Sequence, residues 1–93
     1  MTAIKIIKIG QDGCRPCKVV EYMLEANADI IAVEGATIEH INITQQPEMV
    51  ERYNVMSTPV LVFERNGIEH SRINGVCNID DVIGAIEKAR EAR

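Results

Sequence analysis

The run Ala3-Ile4-Lys5-Ile6-Ile7-Lys8-Ile9 constrains the fold more than any other stretch, because isoleucine occupies positions of both parities. A strand with one wet face alternates apolar and polar residues. Isoleucine at 4, 6, 7 and 9 instead marks a strand buried on both sides, at the centre of a sheet with further layers packed above and below it. Gly10-Gln11-Asp12-Gly13 breaks the run. From Arg15 onward Val19, Val20, Met23, Leu24 and Ala28 recur at helical spacing and are expected to pack on the core. Pro16 is tolerated because the first turn of a helix needs no N–H there. This spacing predicts a helix that ends between Asn27 and Gly35.

The remaining elements follow from local signals. Ala36 to Ile43 is rich in β-branched residues and reads as a second strand. Thr44-Gln45-Gln46-Pro47 supplies a cap and first turn for a short helix to Tyr53. Pro59 to Arg65 is a third strand, Asn66-Gly67 a hairpin turn, and Ile68 to Ile73 the returning antiparallel strand, closed by Gly75. Asn78 caps a last helix with Asp80 and Asp81 in its first turn, Val82, Ile83 and Ile86 on its apolar side, and Lys88, Arg90 and Arg93 towards its end. The order β-α-β-α-β-β-α predicts an α/β fold. With right-handed crossovers it becomes a four-stranded mixed sheet flanked by three helices on both faces, one domain over residues 1–93. With one Phe, two Tyr and no Trp, its core must be aliphatic.

Cys14-Arg15-Pro16-Cys17 sits where the first strand gives way to the first helix. Two thiols at this spacing can close into a disulfide and reopen with little backbone movement. The N–H groups and positive dipole end of the helix, with Arg15 beside them, favour the thiolate of Cys14, the form that attacks disulfides. The odd count of three cysteines and the tight spacing of two of them, in a chain that enters a strand pattern almost at once, favour a redox or metal role in a reducing compartment, the cytoplasm, over a secreted disulfide scaffold. No apolar run approaches the roughly 20 residues that span a bilayer, so no membrane is expected. A net charge of -4, with basic residues scattered among acids, excludes nucleic acid as a partner. Zinc would need four ligands, and Cys77, His40 and His70 show no ligand spacing beside the pair, so no metal is expected. Cys77 reads first as a small buried residue and secondly as an accessory thiol.

Over nearly its whole length the chain resembles the thioredoxin family. The resemblance is carried by Cys14-x-x-Cys17-Lys18 after a buried strand, Asn42-Ile43 closing the second strand, and Tyr53-x-Val55-x-Ser57-Thr58-Pro59. The Phe63-x-x-Asn66-Gly67 hairpin and Gly75 before the last helix complete it. It implies the thioredoxin fold in its shorter, glutaredoxin-like form. It also implies a cis Thr58-Pro59 peptide whose loop, with Gly75, offers backbone groups to an extended substrate. The mechanism it implies has Cys14 attacking a partner's disulfide and Cys17 resolving the mixed disulfide, with no bound cofactor beyond the redox-active Cys14–Cys17 disulfide.

The chain departs from the family pattern in three places. Gly13 stands where a Trp usually precedes the first cysteine. Lys8 stands where a buried carboxylate usually lies, and His40 where a lysine accompanies that carboxylate. Lys8 and His40 are therefore expected to replace the usual acid and base pair, and with Arg15 and Pro16 to tune the cysteines. The function so implied is a monomeric protein dithiol–disulfide oxidoreductase that reduces protein disulfides and is recycled by a thioredoxin reductase or a glutathione system. Two alternatives stay open: a glutathione-dependent glutaredoxin, against which Asn74-Gly75-Val76-Cys77 lacks the usual paired glycines, and a non-enzymatic binding module on the Thr58-Pro59 edge. Iron–sulfur ligation across a dimer stays open with the first of these.

Overall fold

The computed structural model describes residues 3–93. Four strands, β1 (Ile4–Gly10), β2 (Ala36–Asn42), β3 (Val60–Arg65) and β4 (Ile68–Asn74), form one sheet in the order β2-β1-β3-β4. β1 runs parallel to β2 and antiparallel to β3, and β3 pairs antiparallel with β4. The isoleucine-dense strand is therefore central. Its even residues Ile4 and Ile6 join Val20, Leu24, Leu61, Phe63, Val82 and Ile86 in one core, and its odd residues Ile7 and Ile9 join Ile41, Val60 and Val62 in another. Burying each such side chain is worth about 1.5–3 kcal/mol, which accounts for the strength of the signal in a chain this short. Asn66 and Gly67 both take positive φ, 55° and 79°, as a two-residue hairpin turn requires.

Four helices flank the sheet: α1 (Arg15–Ala26), α2 (Ala28–Val33), α3 (Glu48–Arg52) and α4 (Ile79–Glu91). The expected first helix is thus two. Asn27 interrupts it, its backbone N–H bonding Leu24 O at 3.3 Å and its Nδ2 bonding Met23 O at 2.8 Å, and Ile31 on α2 reaches the core after the bend. Val19 and Ala28 do not join the core. Cys17, Val20 and Leu24 occupy the face of α1 against the sheet, which leaves Val19 to one side and 51% exposed, while Ala28 lies beyond the break. Thr44 caps no helix either: α3 starts after Pro47 with no side-chain cap, and the Thr44 hydroxyl accepts from Asp12 N instead.

The start of α4 matches its sequence signal. Asn78 Oδ1 accepts from Asp81 N at 3.0 Å and Asp81 Oδ2 accepts from Asn78 N at 3.1 Å, so each satisfies an N–H that the helix leaves over. Asn78→Ala removes one of these bonds and is expected to lower the unfolding free energy by about 1 kcal/mol, read as a lower urea midpoint with an unchanged slope.

Candidate active site

β1 delivers its last residue, Gly10, beneath the start of α1. A Cβ on Gly10 would stand 3.3 Å from Cys17 Sγ, closer than such atoms ordinarily pack, and 3.6 Å from Lys8 Nζ, so the missing side chain leaves room for the cysteine over the end of the strand. The loop 11–13 then turns, and Cys14 becomes the N-cap of α1, its Sγ accepting from Cys17 N at 3.2 Å. An oxygen usually fills this place; a sulfur there is held against the positive end of the helix. Cys14 and Cys17 are joined as a disulfide, S–S 2.13 Å. Cys14 is half-buried whereas Cys17 is only 4% exposed.

The loop is tied on both sides. Towards β2, Asp12 Oδ1 accepts from Asn42 Nδ2 at 2.8 Å and Asp12 N donates to Thr44 Oγ1 at 3.0 Å, while Ile43 N donates to Gly10 O at 2.9 Å. Towards β3, Gln11 Nε2 donates to Thr58 Oγ1 at 2.9 Å, and the Thr58 hydroxyl lies 3.5 Å from Cys14 Sγ as a donor. The Thr58-Pro59 peptide is cis. Gly75 N donates to Pro59 O at 2.9 Å, so Thr58, Pro59 and Gly75 form one edge beside the cysteine pair. Arg72, on β4, steadies the segment leading to that edge by donating to Tyr53 O at 2.6 Å and Asn54 O at 3.3 Å, itself fixed by Glu69. Arg15 and Pro16 are exposed on the first turn of α1.

Lys8 is the single buried charged residue among the described residues, 7% exposed. Its parity places it on the α1 face, where Nζ meets Glu21 Oε2 at 3.2 Å. Glu21 lies one helical turn beyond Cys17, and the hydrogen bond from Lys8, followed by its charge, holds the Glu21 carboxyl below the usual carboxylate range. His40 stands opposite Lys8 in the β1–β2 register but is exposed. The carboxylate that Lys8 meets therefore comes from the helix. A cavity of about 490 Å³ between α1 and the β1–β2 edge brings Lys8, Glu21, His40, Lys18 and both cysteines onto one lining. Cys77, two residues after Gly75, is a free thiol half-buried against the core that holds Val82 and Ile86, and burial followed by the Asp81 charge pushes its thiol up.

Gln11, Glu21 and Arg72 are the site residues that sequence reasoning missed. For Glu21 a signal did exist: a lysine on a strand buried on both faces demands a counter-charge, and an acid one turn after Cys17 can supply it. Among the described residues no cluster of His, Cys, Asp and Glu is placed to hold a metal, and no helix is long and apolar enough to cross a membrane.

Residues 2–83 match the family described as thioredoxin domain. The chain is 31% identical over 88 residues to the thioredoxin of Chlamydia caviae, covering 94% of this chain and 83% of that one. It is likewise 31% identical over 87 residues to the thioredoxin of Chlamydia trachomatis, with the same coverage. Its fold is shared with Fasciola hepatica thioredoxin (TM-score 0.80, 21% identical, 92% and 81% covered) and with thioredoxin-2 of a malaria parasite (TM-score 0.84, 13% identical, 94% and 84% covered). With the disulfide seated at the strand-to-helix junction and the cis Thr58-Pro59 edge beside it, the chain belongs to the thioredoxin family and is a thiol–disulfide oxidoreductase.

Proposed function

We propose that the chain is a cytoplasmic, monomeric reductant of protein disulfides, working without a bound cofactor and recycled by a thioredoxin reductase. The observation that carries this reading is the unequal access of the two sulfurs: Cys14 caps the helix at the surface, while Cys17 is buried behind it. The Cys14 thiolate attacks one sulfur of a partner's disulfide, forming a mixed disulfide and expelling the other sulfur as thiolate. Cys17 loses its proton and attacks Cys14 Sγ, closing the Cys14–Cys17 disulfide and releasing the partner's second thiolate. Two electrons pass to the partner, and its two thiolates take up two protons.

The Thr58-Pro59 edge suits an extended protein partner. Met56, 88% exposed, precedes it in the chain, and Val76, 56% exposed, follows Gly75, which is bonded to Pro59; both offer apolar contact next to the sulfur. Arg15 and Pro16, exposed between the two cysteines, meet the partner with Cys14, and Lys8 and His40 tune the pair from the cavity.

Insulin reduction measured in parallel with NADPH plus thioredoxin reductase, and with glutathione plus glutathione reductase, tests the proposal. Turnover in the first system is expected. Turnover in the second alone would make the protein glutathione-linked, and turnover in neither would overturn the general reductant role.

A further inference from the structure

The hydroxyl of Thr58 has one hydrogen to give and two lone pairs to share. Gln11 Nε2 is a donor, and it fills one lone pair at 2.9 Å. The hydroxyl hydrogen is then not drawn towards Gln11, and the acceptor in its reach is Cys14 Sγ at 3.5 Å. A sulfur in a disulfide is a weak acceptor, whereas the thiolate set free on reduction is a strong one, so this contact gains most when Cys14 carries charge. We propose that Gln11 is a positioning residue for the redox chemistry: it fixes the Thr58 hydroxyl as a hydrogen-bond donor to the Cys14 thiolate. The inference rests on the reading of Cys14 as the attacking thiol.

The arrangement is specific to this loop. Gln11 is held between two anchored neighbours: Gly10, whose carbonyl accepts from Ile43 N, and Asp12, bound to Asn42 and Thr44. Its amide therefore meets Thr58 from a fixed direction, although the side chain itself is exposed. Thr58 in turn is fixed by the adjoining Pro59, whose carbonyl accepts from Gly75 N. Two donors converge on the same sulfur, the Thr58 hydroxyl from the β3 side and Cys17 N from α1. The charged and titratable groups near the pair, Lys8, Asp12, Arg15, Lys18, Glu21 and His40, come from β1, its following loop, α1 and β2. The Thr58 segment contributes a neutral donor, whose orientation depends on one amide.

The test is the pH dependence of Cys14 alkylation by iodoacetamide in the reduced protein, followed by fragment-ion mass spectrometry of the peptide that holds both cysteines, which reads Cys14 and Cys17 separately. Thr58→Val, which keeps the shape and loses the donor, is expected to raise the Cys14 midpoint by about one pH unit, and Thr58→Ser to restore it. Gln11→Leu raises the midpoint by about half as much. Gln11→Glu raises it further than Gln11→Leu, because a carboxylate accepts the hydroxyl hydrogen and turns it from the sulfur. In the Thr58→Val background Gln11→Leu adds nothing. An unchanged midpoint in Gln11→Leu, or an equal shift with and without the Thr58 hydroxyl, overturns the proposal while leaving Cys14 as the attacking thiol. Preferential alkylation of Cys17 at low pH overturns that reading itself, and the proposal with it.

Discussion

Cys14→Ser is expected to abolish disulfide reduction, lowering it by at least about three orders of magnitude to the background rate, because a serine hydroxyl supplies no thiolate at neutral pH. Cys17→Ser is expected to fail differently. Cys14 remains at the N-cap of α1, half-buried and with Thr58 beside it, so it still opens the partner's disulfide. With no sulfur behind it the reaction stops at the mixed disulfide, which accumulates as one covalent adduct per chain, is visible by intact mass and is released by dithiothreitol. The asymmetry follows from burial: a sulfur 4% exposed can meet its neighbour in the same turn but not a protein partner. If Cys14→Ser trapped the adduct and Cys17→Ser did not, the assigned roles would be reversed.

What the sequence made legible was chemistry that is local along the chain. The isoleucines of β1, the Asn66-Gly67 turn and the Asn78 cap each depend on residues within a few positions, and each stands in the structure where its pattern places it. The Cys14–Cys17 pair belongs to the same class. The first helix was expected to end between Asn27 and Gly35 and does end at the first of these, but the restart of the chain as α2 had no local signal, since neither Gly nor Pro marks the bend. Val19 sits at a helical spacing that fits two faces, and only the sheet decides which one is buried. The site partners were hidden for a different reason. Gln11 meets Thr58 across 47 positions and Lys8 meets Glu21 across 13, so each pairing exists only once the strands are in register. Lys8 was visible as an anomaly, a cation on a strand with no wet face, but His40, its neighbour in register, was a natural first choice of partner until α1 brought Glu21 over it.

That pair yields a stability prediction with a definite sign in pH. Glu21→Gln leaves the Lys8 ammonium, 9% exposed as a side chain, without its counter-charge, and is expected to cost about 2 kcal/mol at pH 7, short of a fully buried pair because Glu21 is 31% exposed. Lys8→Met should cost less, since the apolar side chain suits its buried place and the Glu21 carboxylate can hydrate from the cavity. The Glu21 carboxyl titrates below its ordinary value of 4.5 in the folded chain, because of the Lys8 hydrogen bond first and the Lys8 charge second. A group depressed on folding contributes stability above its unfolded value and loses it as pH falls through the lower folded one. The gap between the native chain and Glu21→Gln in urea melts should therefore be widest near neutrality and shrink in acid. Chemistry should respond too. Lys8 Nζ and Cys17 Sγ flank the space that Gly10 leaves vacant, so removing the cation should raise the Cys17 ionisation midpoint by up to about one unit and slow release of the trapped partner. Identical urea midpoints for the native chain and Glu21→Gln at both pH values would show that the ion pair contributes nothing to the fold. An unmoved Cys17 titration in Lys8→Met would show that the buried cation is a packing residue alone.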